Sequence, residues 1–167
     1  MKKLITIIVV IISTSLFSQN KPFTNLVFDQ VIIYDFEGGK GSESMYIIGD
    51  NGKLSKNVKK QVVLDQKTIK ILNTKLESKL SYGAGTASCF EPHLGIVYYL
   101  KNKPVAHISV CLDCNRLQSS KNIIAQNQGR IGTGKDSYYL LDGMSKSFRI
   151  FLNSLLKKHN FSHQSKK

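Results

Sequence analysis

Arginine is nearly absent from this chain: of its 24 basic residues only Arg116, Arg130 and Arg149 carry a guanidinium. Bidentate recognition of phosphates and base edges favours that planar group over the lysine ammonium. The composition therefore argues against specific nucleic-acid recognition. Acidic residues are also few, 11 against the 24 bases, giving a net charge of +13. Lysines dispersed in this way form a solvated basic surface, suited at most to contact with a polyanion or a membrane surface.

No apolar run reaches the roughly 20 residues that a membrane helix requires. The run from Leu4 to Ile12 follows Lys2 and Lys3 and precedes small polar residues up to Ser18. That three-part order predicts a secretory signal over residues 1–18 and an exported protein, periplasmic or extracellular. No cysteine lies near the expected cleavage point, the first being Cys89, so a lipid-anchored N-terminus is not expected. Residues 19–167 fit a single domain that buries a core without needing disulfides.

What remains is ordered as strands, helix, hairpin, loop and helix. Leu26 to Phe36 is rich in β-branched and aromatic residues and is broken by glycines at Gly38, Gly39 and Gly41. Ser44 to Ile48 is a second strand candidate, closed by an Asn51-Gly52 turn, and the two suggest a hairpin over 26–48. A third short strand is read at Val58 to Leu64. Asp65 is a good N-cap for a helix over about 66–80, whose Ile69, Leu72, Leu76 and Leu80 recur at helical spacing. Two strands flanking Lys101 to Pro104 predict a hairpin over 95–112, with Ala106, Ile108, Val110 and Leu112 facing the core and Cys111 on the more polar side. Phe148, Phe151, Leu152, Leu155 and Leu156 form the stripe of a helix over 145–158, after which a basic tail is expected to fray. The order predicts a single α+β domain built on an antiparallel sheet.

The chemistry concentrates in one place. Cys89-x3-His93 and Cys111-x2-Cys114 put all three cysteines and one histidine within 26 residues. A disulfide could join Cys89 to Cys111 or Cys114 and leave one thiol over. Alternatively Cys89, His93, Cys111 and Cys114 form a Cys3His set of the kind that holds structural zinc, with Asn115 suited to the left-handed turn of such a knuckle. A third reading makes Cys111-x2-Cys114 a redox dithiol, although oxidoreductases place the first cysteine at a helix N-terminus and here it ends a strand beside Asp113. An oxidising destination favours the disulfide.

The run Cys89-Phe90-Glu91-Pro92-His93, followed by Val110-Cys111-Leu112-Asp113-Cys114, resembles the Cys-aromatic-x-Pro-Arg-His and Ile-Cys-aromatic-x-Cys pattern of small uncharacterised bacterial exported proteins. The resemblance implies export and brings no activity with it. His93 stands where that pattern has arginine and Leu94 where it has histidine, so a ligand role for His93 is not implied.

Other signals are weaker. Gly129 to Lys135 has the Gly-x4-Gly-Lys spacing of a phosphate loop, but Asp136 follows where Ser or Thr should bind magnesium, and no strand and helix frame it. His107 and Ser109 share a strand face without a carboxylate to orient the imidazole. Tyr98-Tyr99 and Tyr138-Tyr139 should each place one ring in the core and one outside. Asp29, Asp35 and Glu37 read as solvated. With no catalytic constellation, the expectation is a binding or structural protein rather than an enzyme, with no organic cofactor and zinc as the one candidate ion.

Overall fold

The computed structural model describes residues 21–41 and 44–164, so the expected signal at 1–18 lies outside the described residues. Along the chain run β1 (Gln30–Phe36), β2 (Val58–Val63), α1 (Gln66–Leu76), β3 (Tyr82–Ala84), β4 (Leu94–Leu100), β5 (Lys103–Cys111), β6 (Arg116–Ser119), β7 (Gln128–Ile131), β8 (Tyr138–Leu141), β9 (Gly143–Met144) and α2 (Lys146–Lys158). Five strands form one sheet in the order β2-β1-β4-β5-β6, and every neighbouring pair is antiparallel. Two small antiparallel pairs, β3 with β9 and β7 with β8, complete the strands. The fold is α+β, as the element order predicts.

Both helices cover one face of the sheet. Ile69, Leu72 and Leu76 of α1 and Phe148, Leu152, Leu155 and Leu156 of α2 bury against Val31, Ile33, Ile96, Tyr98, Ile108 and Val110. Asp65 caps α1 as expected, its carboxylate accepting from the Thr68 backbone N–H at 2.8 Å and the Thr68 hydroxyl at 2.9 Å. The helix stops at Leu76, short of residue 80. Glu77 turns away to accept the backbone N–H groups of Phe23 and Thr24, each at 2.8 Å. Leu80 consequently falls outside the stripe and is 87% exposed.

The first expected hairpin is corrected. The partners of β1 are β2 and β4, so neither of its edges is free for Ser44 to Ile48. That segment forms a strap across the face opposite the helices, where Ile47 and Ile48 bury against Tyr34, Phe36 and Val97. The Ile47 N–H donates to the Ser109 hydroxyl of β5 at 2.9 Å. Gly95, paired with Ser109 across the β4–β5 ladder, lets the strap approach, because a Cβ there would collide with the Ile47 side chain. The strap covers Ser109 on the non-helical face of β5 (0% exposed), and Cys111 on the same strand is 1% exposed beside Cys114, against the expectation of a polar side for Cys111.

The β4–β5 hairpin forms, with a tighter turn than expected. Leu100 pairs with Lys103, and Lys101 and Asn102 both take positive φ, 50° and 63°, as a two-residue type I′ turn demands. The Lys101 N–H is held by Asp29 Oδ2 at 2.6 Å. The C-terminal segment does not fray as far as Gln164. Phe161 is buried, and Ser162 donates its N–H and its hydroxyl to Asp35 at 2.6 and 2.8 Å. Asp35, expected in solvent, is thus a buried acceptor at the end of β1.

Candidate functional site

Two pieces of chain build the cysteine site. Cys111 ends β5 and pairs with Arg116 at the start of β6, so Leu112 to Asn115 form the connecting loop of a β-hairpin. Asn115 takes the left-handed conformation (φ 52°) expected of it, and its N–H returns to the Leu112 carbonyl at 3.2 Å. This tight loop brings Cys114 back toward Cys111, and the Cys114 N–H donates to Cys111 Sγ at 3.2 Å.

The second piece is the segment between β3 and β4, which carries Cys89. Ala87 donates its N–H to the Cys114 carbonyl at 3.0 Å. Asn115 donates its side-chain amide to the Gly85 carbonyl at 2.8 Å, and Arg116 Nη1 donates to the carbonyls of Ser88 and Cys89 at 3.1 and 3.2 Å. The same guanidinium lies 5.6 Å from the centre of the Phe90 ring, close enough for a cation–π contact. The hairpin loop thus clasps the Cys89 segment through polar contacts as well as through sulfur.

All three sulfurs lie within 4.8 Å of one another. Cys89 and Cys114 are joined at disulfide distance with Cα atoms 5.7 Å apart, and Cys111 and Cys114 lie within bonding reach with Cα atoms 5.3 Å apart. Both separations suit a disulfide, and since a sulfur bonds only one other in a disulfide, the two pairings of Cys114 exclude each other. Cys111 and Cys114 are 1% and 2% exposed, whereas Cys89 is exposed.

His93 is not brought to this cluster. Among the described residues, the group whose ligand atoms converge contains the three cysteines and no histidine. The His93 ring instead stacks on His163 of the C-terminal segment, centroids 3.5 Å apart and planes 6° apart. Its Nδ1 is buried without a hydrogen-bond partner. Burial, and next the neighbouring His163, hold the His93 pKa below its usual value, with the Phe36 backbone, Glu37 and Asp113 acting the other way. Glu37 accepts from Lys40 at 2.6 Å and from Lys59, and these two partners bring its carboxyl down to about 2.

The remaining sequence candidates disperse. Gly129 to Lys135 lies in β7 and the connection to β8, so its glycines serve a hairpin and not a strand-to-helix phosphate cradle. His107 is half-buried, its pKa lowered by burial, and lines a cleft of about 570 Å³ with Tyr46, Asp50, Gln118 and Lys121. The Ser109 hydroxyl accepts the Ile47 N–H at 2.9 Å, which ties it to the strap. Tyr98 is buried and donates to Asn73 Oδ1 at 2.7 Å. Tyr138 and Tyr139 are both exposed, 59% and 66%, contrary to the expected split, on a two-stranded β7–β8 ribbon that is not hydrogen-bonded to the five-stranded sheet.

Arg116 was not legible as a site residue, and Asn115 was legible for its left-handed turn but not for its side-chain contact with Gly85. Arg116 would have been found only by reading Arg116 to Ser119 as a strand paired with β5, which places the residue opposite Cys111. No protein-family model, curated protein or solved structure matches this chain.

Proposed function

We propose that this is an exported domain of binding or structural type, in which the Cys89–Cys114 disulfide staples the segment before β4 to the β5–β6 loop. The observation that carries the reading is the pairing of Cys89 with Cys114 on a segment that Asn115 and Arg116 already hold in register. A disulfide closing 25 residues limits the unfolded chain, which suits a protein working outside the reducing cytoplasm. The signal-like residues 1–18 and the resemblance to small exported proteins support that destination. The lysine excess supplies the binding surface, a basic face for a polyanion or an anionic membrane.

A second reading has one specific observation in its favour: three convergent sulfurs are a soft donor set for zinc when reduced. His93 is not the fourth ligand in this arrangement, so water or an outside group would complete the site.

Thiol counting on denatured, chelator-treated protein, together with metal analysis of the native chain, separates the two. One free thiol and no bound metal is expected. Three thiols with about one equivalent of zinc would replace the disulfide reading with the metal one. For the basic face, retention on an anionic matrix should fall steeply with salt, and retention indifferent to salt would remove it.

A further inference from the structure

We propose that the three sulfurs form an internal disulfide-exchange site, in which the bond moves from Cys89–Cys114 to Cys111–Cys114 and frees an exposed Cys89 thiolate. The proposal rests on the disulfide reading above and gives the third cysteine a function. Cys114 is the common partner, and the Cα separations to Cys89 and Cys111, 5.7 and 5.3 Å, both lie in the range that a disulfide spans without backbone movement. The tight Cys111-x2-Cys114 turn holds the third sulfur within 4.8 Å of both sulfurs of the disulfide, in reach of attack. The two end states also differ in what they offer to solvent. Cys111 is buried and Cys89 exposed, so exchange turns a hidden thiol into an accessible one.

Two groups favour the step. The Cys114 N–H points at Cys111 Sγ and steadies the negative charge that the attacking sulfur must carry. Arg116, bound to the Cys89 carbonyl, holds a permanent positive charge beside the residue whose sulfur leaves as an anion. In the reaction the Cys111 thiolate attacks Cys114 Sγ, the Cys111–Cys114 bond forms, and the Cys89–Cys114 bond breaks with its electron pair leaving on Cys89. The proton lost by Cys111 goes to solvent and Cys89 takes one up, so the step is an isomerisation without net oxidation. The freed Cys89 can then attack an accessible disulfide of a partner molecule, forming a mixed disulfide and releasing the other half as a thiolate.

The full chain, purified without reductant, is incubated natively with N-ethylmaleimide, sampled over time by acid quench, then denatured and digested with trypsin. Cleavage after Lys79, Lys101 and Arg116 puts Cys89 on one peptide and Cys111 with Cys114 on another. The cross-link between the two peptides should be present at zero time and decline as maleimide accumulates on Cys89 and an internal Cys111–Cys114 bond appears. In the Cys111→Ala chain the cross-link should persist and Cys89 labelling should be lost. The unmodified chain alone decides the outcome, so a folding defect in the variant does not leave it open. Label confined to Cys111, a cross-link that never declines while the denatured chain yields one thiol, or a Cys89 thiol free from the start would each overturn exchange. The first two leave the disulfide staple intact. Three labelled cysteines would overturn both.

Discussion

Replacing Cys114 with serine should be the most damaging single change at the cysteine site. Cys114 is the sulfur that both pairings share, so its loss removes either disulfide. The Cys89–Cys114 bond closes a loop of 25 residues. The loop-entropy relation assigns such a closure about 3.5 kcal/mol at 25 °C. Over a domain of this size that corresponds to a fall of roughly 10 °C in Tm. Cys89→Ser should cost less, because Cys111 and Cys114 remain within bonding reach and close a smaller loop. Cys111→Ser keeps the long closure and should lose only about 1 kcal/mol, the cost of burying a hydroxyl that still accepts from the Cys114 N–H. Urea unfolding of the four chains, with and without reductant, measures the order. Stabilities that are equal in all four, or a midpoint of the unmodified chain that reductant leaves unchanged, would refute a stabilising disulfide.

Three further outcomes follow from the packing. Gly95→Ala should destabilise by about 1–3 kcal/mol, since the added methyl meets Ile47 and the strap must shift; an unchanged urea midpoint would show that the strap is not tightly seated. Asp35→Ala removes the acceptor of two Ser162 hydrogen bonds and should cost roughly 2 kcal/mol or more. It should also speed amide exchange in the segment from Phe161 to Gln164, and unaltered protection there would contradict the docking. The His93 pKa is lowered on folding, so the unfolded chain binds the proton more readily. Its contribution is complete above about pH 6.5 and diminishes as pH falls below that value. Urea midpoints at pH 8 and pH 5.5 should therefore differ, and His93→Phe should reduce the difference; an equal difference in the variant would assign it to His107 or His159, whose pKa values are lowered too.

Local signals were legible where the chain's own periodicity decides the structure. The α2 stripe from Phe148 to Leu156, the Asp65 cap, the alternation of Ala106, Ile108 and Val110, and the left-handed Asn115 are all consequences of neighbouring residues. The readings that changed depend on residues far apart in sequence. Ser44 to Ile48 has strand-like composition, but β2 and β4 occupy both edges of β1, and only the assembled sheet excludes a third partner. Leu80 continues the helical spacing, yet Glu77 is drawn 54 residues back to Phe23. The convergence of Cys89, Cys111 and Cys114 was expected from the hairpin. The place of His93 outside that group was not, and its stack on His163 of the C-terminal segment is a contact 70 residues away in sequence.

The Gly95–Ile47 contact has an evolutionary corollary. Positions 47 and 95 share one small volume, so bulk gained at one must be surrendered at the other. Descendants of this sequence should drift along that line as a pair, a larger residue at 95 fitting without a shift of the strap only where 47 has become glycine. Truncating Ile47 to alanine does not clear the contact, because the Ile47 Cβ itself would lie 2.7 Å from a Cβ added at 95.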